Sequence, residues 1–353
     1  PAGAFLNGYL KNKNFRVKHI DTNEVFVKYI LNKYSLSTFS PANLSKFRIA
    51  ALEYYNFVSL DNIYRIQPTK LEVKNLVPLP KTFISDHLLS NLNLEEIDEF
   101  DYVGISVTLT RQIYGALVIA DYIKEKLPTK KLILGGSAIP FFWDLIYNTN
   151  FFFNYFDGII RGDGCTPLVE LLSGKSFEKV HSLTYKDKDG VKSNNLSILP
   201  ADYFNYLPAF DKNKLANYLL PLSIGISVNT GCCYGKCSFC NYGTVNSYPY
   251  KYIGSKRLVD TVEKLKSEYN ILHFYFSGAG MRKDHFISTA RELLKRKVKI
   301  SWTAESLGFR YSPHDIELIA KSGCIDMHVG CESAPSTIRN FLNNGFPKKH
   351  DDY

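Results

Sequence analysis

Three cysteines set the chemistry to look for. Cys233, Cys237 and Cys240 are spaced CxxxCxxC within the loop Gly231-Cys232-Cys233-Tyr234-Gly235-Lys236-Cys237-Ser238-Phe239-Cys240. Thiolates are ligands for soft metals and iron–sulfur clusters, and three of them on a cubic cluster leave the fourth iron open for chemistry. Two other readings share the loop. Counted from Cys232 the spacing is CxxxxCxxC, the opening of a plant-type ferredoxin signature with Cys324 or Cys331 as a distant fourth ligand. Cys237 and Cys240 with two further ligands would instead make a zinc knuckle. The first reading predicts a reactive iron, the second an electron carrier, the third a zinc-stabilised binding protein without catalysis.

Such a loop needs elements to hold it. The apolar run Leu222 to Val228 reads as a strand, and Asn229-Thr230-Gly231 would deliver the cysteines from its carboxyl end. Beyond the loop, helical and strand patterns alternate. Leu258, Val262, Leu265 and Tyr269 share one helical face, and Ile271 to Phe276 is a strand ending in Ser277-Gly278-Ala279-Gly280. Asp284 is expected to cap a helix carrying Phe286, Ile287, Ala290 and Leu294. Val298 to Ala304 is a strand ending at Glu305, and Ser312, Pro313 and Asp315 begin a helix that Gly323 stops. Cys324 to Val329 is the last strand, leading into Gly330-Cys331-Glu332-Ser333. Repeated βα units predict a TIM-like barrel whose site lies at the strands' carboxyl ends. The cysteine loop, Ser277-Gly278, Glu305 and Glu332-Ser333 would then share one rim.

A CxxxCxxC loop after a strand, with Phe239 before the last cysteine, resembles the cluster loop of radical S-adenosylmethionine enzymes. The resemblance implies a [4Fe-4S] cluster on Cys233, Cys237 and Cys240, with S-adenosylmethionine on the open iron and reductive cleavage to a 5′-deoxyadenosyl radical. Ser277 and Gly278 stand where that family often has GGE, here without its Glu. Glu305 and Arg310 match its Glu…Arg after the third strand, and Glu332-Ser333 its ES after the fourth. The likeness therefore assigns Phe239, Ser277, Gly278, Glu305, Arg310, Glu332 and Ser333 to the S-adenosylmethionine site. The family's partial barrel usually has six strands where four are legible here, so a half-barrel lacking roughly two βα units is expected. The chain also opens at Pro1 inside a helical pattern, which reads as a trimmed end.

The first half carries a different pattern. Ala4 to Leu10 reads as a helix, Phe15 to Ile20 as a strand, and Val25 to Tyr34 and Leu44 to Val58 as helices, before a break at Val77-Pro78-Leu79-Pro80. Tyr102 to Leu109, Lys131 to Leu134 and Phe156 to Ile160 are apolar strands separated by helical stretches, with a helix at Thr166 to Leu172. Such alternation predicts a parallel sheet covered on both faces, with ligands beyond the strands' carboxyl ends. Those ends carry Ser106-Val107-Thr108, Gly135-Gly136-Ser137 and Arg161-Gly162-Asp163-Gly164. No GxGxxG opens the first helix, which argues against a dinucleotide.

This arrangement resembles the cobalamin-binding domain found in front of many radical S-adenosylmethionine enzymes. The matching residues are Ser106, Thr108, Gly135, Gly136, Ser137, Gly162 and Gly164. DxHxxG is absent, so the likeness implies cobalamin without a protein histidine on its lower face; His19 and His87 lie in other contexts. A degenerate Rossmann-like domain with no ligand is the alternative. Leu183 to Gly190 reads as a hairpin, and Leu199 to Pro221 as a linker. The expected fold class is therefore α/β. A Rossmann-like domain of the cobalamin-binding type spans 1–195, a linker 196–220 and a truncated TIM-like half-barrel 221–353.

Composition narrows the setting. A chain of 353 residues, 45% hydrophobic and 22% charged, can build two cores. The net charge of +9 comes from scattered lysines rather than a basic tract, so a solvated surface is expected and nucleic acid is not. Seven cysteines in this length, four of them between Cys232 and Cys240, suit a reducing compartment and a cluster better than a disulfide framework. No signal peptide is legible. The apolar stretch Phe141 to Ile160 is broken by Asp144, Asn148, Asn150, Asn154 and Asp157, so no membrane span and a cytoplasmic location are expected. Together the resemblances imply cobalamin-dependent methyl transfer to an unactivated carbon of a small molecule or peptide, with an electron donor such as flavodoxin or ferredoxin. A cobalamin-using radical rearrangement or cyclisation is the alternative.

Overall fold

The structure, a computed structural model, describes residues 2–35, 45–46, 49, 83–215, 223–240, 249–306, 311–330, 332–333, 337–338 and 342. The expected helix Leu44 to Val58 and the break at Val77 to Pro80 lie outside the described residues except for 45–46 and 49. Two compact units divide the chain, Ala2–Leu220 and Pro221–Tyr353.

The first unit opens with helices α1 (Ala2–Asn12), α2 (Asn23–Lys33), α3 (Phe83–Ser90) and α4 (Leu94–Asp98). Strand β1 (Tyr102–Ser106), helix α5 (Ile113–Lys126), strand β2 (Lys131–Gly135), helix α6 (Trp143–Asn148), strand β3 (Gly158–Ile160) and helix α7 (Cys165–Leu172) follow. The hairpin β4 (Leu183–Asp187) and β5 (Gly190–Ser193) completes a sheet of order β1-β2-β3-β4-β5. β1, β2 and β3 are parallel, and the hairpin adds two antiparallel pairings. The core is built on α5, whose Leu117, Ala120 and Ile123 pack with Leu132 and Leu134 of β2.

Phe15 to Ile20 is not a strand. It alternates half-buried and exposed residues as a strand would, but pairs with no strand among the described residues. Its charged side chains reach α4 and the residue after it instead, through Arg16–Glu99 and Lys18–Glu96 ion pairs. Part of the stretch read as a linker packs on α1. Asn7 Nδ2 donates to the Ala209 carbonyl at 2.9 Å, and Tyr206 meets Tyr9 edge-on at 4.8 Å between ring centres.

The second unit begins with β6 (Ser223–Ser227) and the short strands β7 (Asn229–Thr230) and β8 (Lys251–Tyr252). Helix α8 (Ser255–Tyr269), strand β9 (His273–Met281), helix α9 (Lys283–Lys295), strand β10 (Ser301–Ser306), helix α10 (Pro313–Lys321) and strand β11 (Cys324–Val329) follow. The main sheet has order β11-β10-β9-β6 and is parallel throughout. Trp302 is fully buried between Phe276 and Phe286, and its indole N–H donates to Ser322 Oγ at 3.2 Å. Ser312 caps α10 as expected, its hydroxyl accepting from the Asp315 N–H at 3.1 Å. Asp284 does not cap α9. Arg282 holds that position, and Asp284 lies in the first turn, where its charge still favours the helix dipole.

Candidate active site

The start of the cysteine loop is tied to β9 by one asparagine. β6 runs parallel to β9 in register from Ser223↔His273 to Ser227↔Ser277. Asn229 follows and is buried, at 1% exposure. Its Nδ2 donates to the Gly280 carbonyl at 3.0 Å, and its Oδ1 accepts from the Ala279 N–H at 2.9 Å. This amide closes the gap between the start of the loop and the end of β9. Gly278 makes room for it: a Cβ there would lie 2.4 Å from Asn229 Oδ1. Within the loop the Gly235 N–H donates to Cys232 Sγ at 3.3 Å, and Ser238 donates through Oγ to the Leu342 carbonyl at 2.9 Å.

All four loop cysteines are free; Cys232, Cys233 and Cys237 are half-buried and Cys240 is exposed. Burial pushes the Cys237 thiol up, followed by the charges that Cys240, Cys232 and Glu332 would carry. Cys233 is raised by burial and then by Cys232, with Arg282 pulling the other way. Thiols that resist ionising beside one another are relieved by a cationic centre, which is the chemistry of a cluster-binding donor set. Among the described residues no three His, Cys, Asp or Glu side chains converge as a ready metal site. The donor types and spacing fit an iron–sulfur cluster.

The other residues read for this site fall as follows. Ser277 lies within β9, which runs on past the expected strand end, and its hydroxyl donates to the Ile226 carbonyl at 3.2 Å. Glu305 is inside β10 rather than after it and accepts from the Tyr275 hydroxyl at 2.6 Å. That contact, with burial as the larger cause, takes Tyr275 up to about 12. Glu332, exposed and at φ 60°, is close enough to Cys237 to act on its charge. Ser333 is half-buried and Phe239 is exposed. Arg310 lies outside the described residues. Asn229 and Tyr275 are the residues that sequence reasoning missed; Asn229 stands next to the loop but has no charge or motif to mark it.

In the first unit the expected ligand residues gather at the carboxyl ends of the strands. Ser106 pairs in register with Gly135, and Ser137 Oγ donates to the Thr108 carbonyl at 3.1 Å. Gly136 has φ 112°, and a Cβ there would fall 2.2 Å from the Val107 carbonyl oxygen, so only glycine fits the close approach of the two strand ends. Gly162 and Gly164 follow β3. Between them Asp163 accepts from the Cys165 N–H at 2.8 Å, and burial raises its carboxyl. Ser106, Thr108, Gly135, Gly136 and Ser137 thus form one place. Gly164 faces α1 packing, with Leu6 and Leu168 each 3.4 Å from its Cβ position.

Residues 226–350 match the family model described as the radical SAM superfamily. An uncharacterized methyltransferase of Pyrococcus horikoshii is 24% identical over 281 residues, covering 74% of this chain and 59% of the relative. Among solved structures, the cobalamin-dependent radical enzyme OxsB, with aqua-cobalamin and S-adenosylmethionine bound, superposes with TM-score 0.60 at 17% identity. That match covers 75% of this chain and 39% of OxsB. The radical methyltransferase TsrM of Kitasatospora setae, with tryptophan and an S-adenosylmethionine analogue, gives TM-score 0.58 at 16% identity, covering 73% of this chain and 55% of that one. The likeness to the radical SAM superfamily therefore lies in residues 226–350, and the chain shares the mixed α/β fold of these cobalamin-dependent structures. It spans about three fifths of the curated relative's length, 59%.

Proposed function

We propose that this chain is a radical S-adenosylmethionine enzyme that transfers a methyl group to an unactivated carbon with the help of cobalamin. The observation that carries the reading is the CxxxCxxC loop, fixed by Asn229 at the carboxyl end of β6 inside the superfamily match. OxsB and TsrM, whose fold the chain shares, support the cobalamin part.

Cys233, Cys237 and Cys240 would hold the [4Fe-4S] cluster. Phe239, Ser277, Gly278, Glu305, Arg310, Glu332 and Ser333 would bind and orient S-adenosylmethionine. Ser106, Thr108, Gly135, Gly136, Ser137, Gly162 and Gly164 would hold cobalamin without a histidine below it. When bound, these groups supply a carbon radical able to take hydrogen from an inert C–H bond, and a methyl donor to replace it. The chain's own part is positioning. Asn229 keeps the cysteine loop against β9, and the Tyr275–Glu305 pair fixes a carboxylate on β10. The domain reading is a Rossmann-like cobalamin module over 1–195, a linker over 196–220 and a half-barrel over 221–353. The substrate is a small molecule or peptide, and a flavodoxin or ferredoxin is the electron donor. No described helix is long and apolar enough to cross a membrane, and the enzyme is read as cytoplasmic.

The test is product analysis of an anaerobic, reduced preparation carrying cluster and cobalamin, supplied with candidate acceptors. Methyl transfer predicts S-adenosylhomocysteine together with 5′-deoxyadenosine. Deoxyadenosine alone during turnover would replace the proposal with a rearrangement or cyclisation. Neither product under reducing conditions would replace it with a non-catalytic role.

A further inference from the structure

A second site lies in the first unit, where β3 ends. Arg161 follows Ile160 and is anchored by its backbone N–H, which donates to the Ser182 carbonyl at 2.9 Å. Its guanidinium lies over the Trp143 ring, 4.5 Å from the ring centre. The Nε is buried with no hydrogen-bond partner, and no carboxylate among the described residues pairs with the group. Arg161, Trp143, Tyr147, Asn194, Asn195 and Leu196 line a recess of about 480 Å³. Asn194 is already engaged, donating to the Phe177 and Val180 carbonyls at 2.6 and 2.7 Å. The Asn195 side chain is exposed at the rim.

Three properties identify the ligand chemistry. A buried guanidinium N–H without an acceptor costs free energy, more than a neutral donor would, so an acceptor from outside the chain is favoured. The guanidinium fork matches the oxygens of a phosphate or carboxylate, and the cation–π contact with Trp143 holds the group in place before any ligand arrives. The tryptophan, tyrosine and leucine around it suit a flat, largely apolar group attached to that anion. An adenine dinucleotide is disfavoured by the absence of GxGxxG, so the anion should belong to a different scaffold.

The recess adjoins the place read for cobalamin. Ile160 Cβ lies 3.9 Å from where Gly135 would carry its own, and Arg161 is the next residue. Cobalamin carries one anionic group, the phosphodiester that links the corrin side chain to its flat nucleotide base; its other side chains are uncharged amides. We propose that Arg161, held over Trp143, binds a phosphate group in this recess, and that the phosphodiester of the cobalamin nucleotide tail is its source. This rests on the cobalamin reading above. A free phosphate-bearing small molecule would offer the same chemistry, and the test separates the two.

The full chain is titrated with hydroxocobalamin and, separately, with cobinamide, which lacks the nucleotide tail and its phosphate, following corrinoid absorbance in phosphate-free buffer. Wild type should bind hydroxocobalamin more tightly than cobinamide. Arg161→Gln should weaken hydroxocobalamin by about ten- to hundredfold, the range for losing a charge-assisted bond, and leave cobinamide unchanged. Arg161→Lys, which keeps the charge without the fork, should fall between; it also serves if the Gln variant does not fold. Equal affinity for both corrinoids in wild type, unchanged by either substitution, overturns the assignment while the cobalamin reading stands. If neither corrinoid binds, the cobalamin reading fails, and inorganic phosphate decides the rest. A rise in wild-type melting temperature with millimolar phosphate, absent in Arg161→Gln, keeps the phosphate site with another source. No such difference overturns it.

Discussion

Asn229 decides at the scale of single residues how the cysteine loop is held. Both ends of its amide are engaged on β9, and Gly278 leaves the space it fills. Gly278→Ala should therefore act through the fold. A methyl group 2.4 Å from Oδ1 must displace the amide, adding overpacking to the loss of buried hydrogen bonds, about 2–4 kcal/mol together. Thermal or denaturant unfolding of the cofactor-free chain should show that loss. A variant that melts like wild type, yet binds S-adenosylmethionine poorly, would return Gly278 to the role of a cofactor contact only. The same residues show what the sequence made legible. The cysteines announce themselves by type and spacing, and Ser277-Gly278 by position after a strand. The clamp from Asn229 is invisible because a neutral amide between Val228 and Thr230 looks like any turn residue. Its importance comes only from burial and from a partner strand some fifty residues away.

At the scale of elements, α9 and the β7–β8 ladder carry an unusual set of buried polar atoms. Thr230 Oγ1, the Tyr250 hydroxyl, both ring nitrogens of His285 and Thr289 Oγ1 have no hydrogen-bond partner among the described residues. The His285 ring lies tilted against Tyr252, 4.9 Å between centres, and burial lowers its pKa to about 4 against the opposing pull of the Asp284 carboxylate. The folded pKa lies below the unfolded one, so the stability tied to neutral His285 is fully present above about 6.5 and declines as pH falls toward about 4. The loss is on the order of 3 kcal/mol. His285→Leu should remove that part of the pH dependence, seen as a flatter melting temperature between those limits. An unchanged profile would mean that the ring is protonated or solvated in the folded protein. Thr289→Val removes a donor left without a partner and should be neutral or stabilising by up to about 1 kcal/mol. A clear destabilisation would point to an ordered water on Thr289. The β and α periods of these elements were readable, from Leu258 to Leu265 on α8 and along Cys324 to Val329. Phe15 to Ile20 was misread because alternation reports which side chains are buried and not whether a second strand stands alongside.

At the scale of the whole molecule, the chain joins a glycine-rich set of strand ends in one unit to the four-cysteine loop in the other. The half-barrel resemblance rested on a motif of high specificity, whereas the cobalamin resemblance rested on glycines. One of those, Gly136, has its own reason in the approach of Val107. Arg161 stands at a strand end that the sequence marks, but its pairing with Trp143 is not legible there, because it depends on β2 and β3 being neighbours in the sheet.

The central claim is that three cysteines, and not four, hold a cluster with one open iron. It is tested by electron paramagnetic resonance of the anaerobically reconstituted, reduced full chain, recorded with and without S-adenosylmethionine, for wild type, Cys232→Ala and Cys237→Ala. Wild type and Cys232→Ala should both show a reduced four-iron signal that shifts when S-adenosylmethionine is added, and Cys237→Ala should show none. A signal indifferent to S-adenosylmethionine, lost in Cys232→Ala, would contradict the open-iron account and establish the four-cysteine carrier in its place.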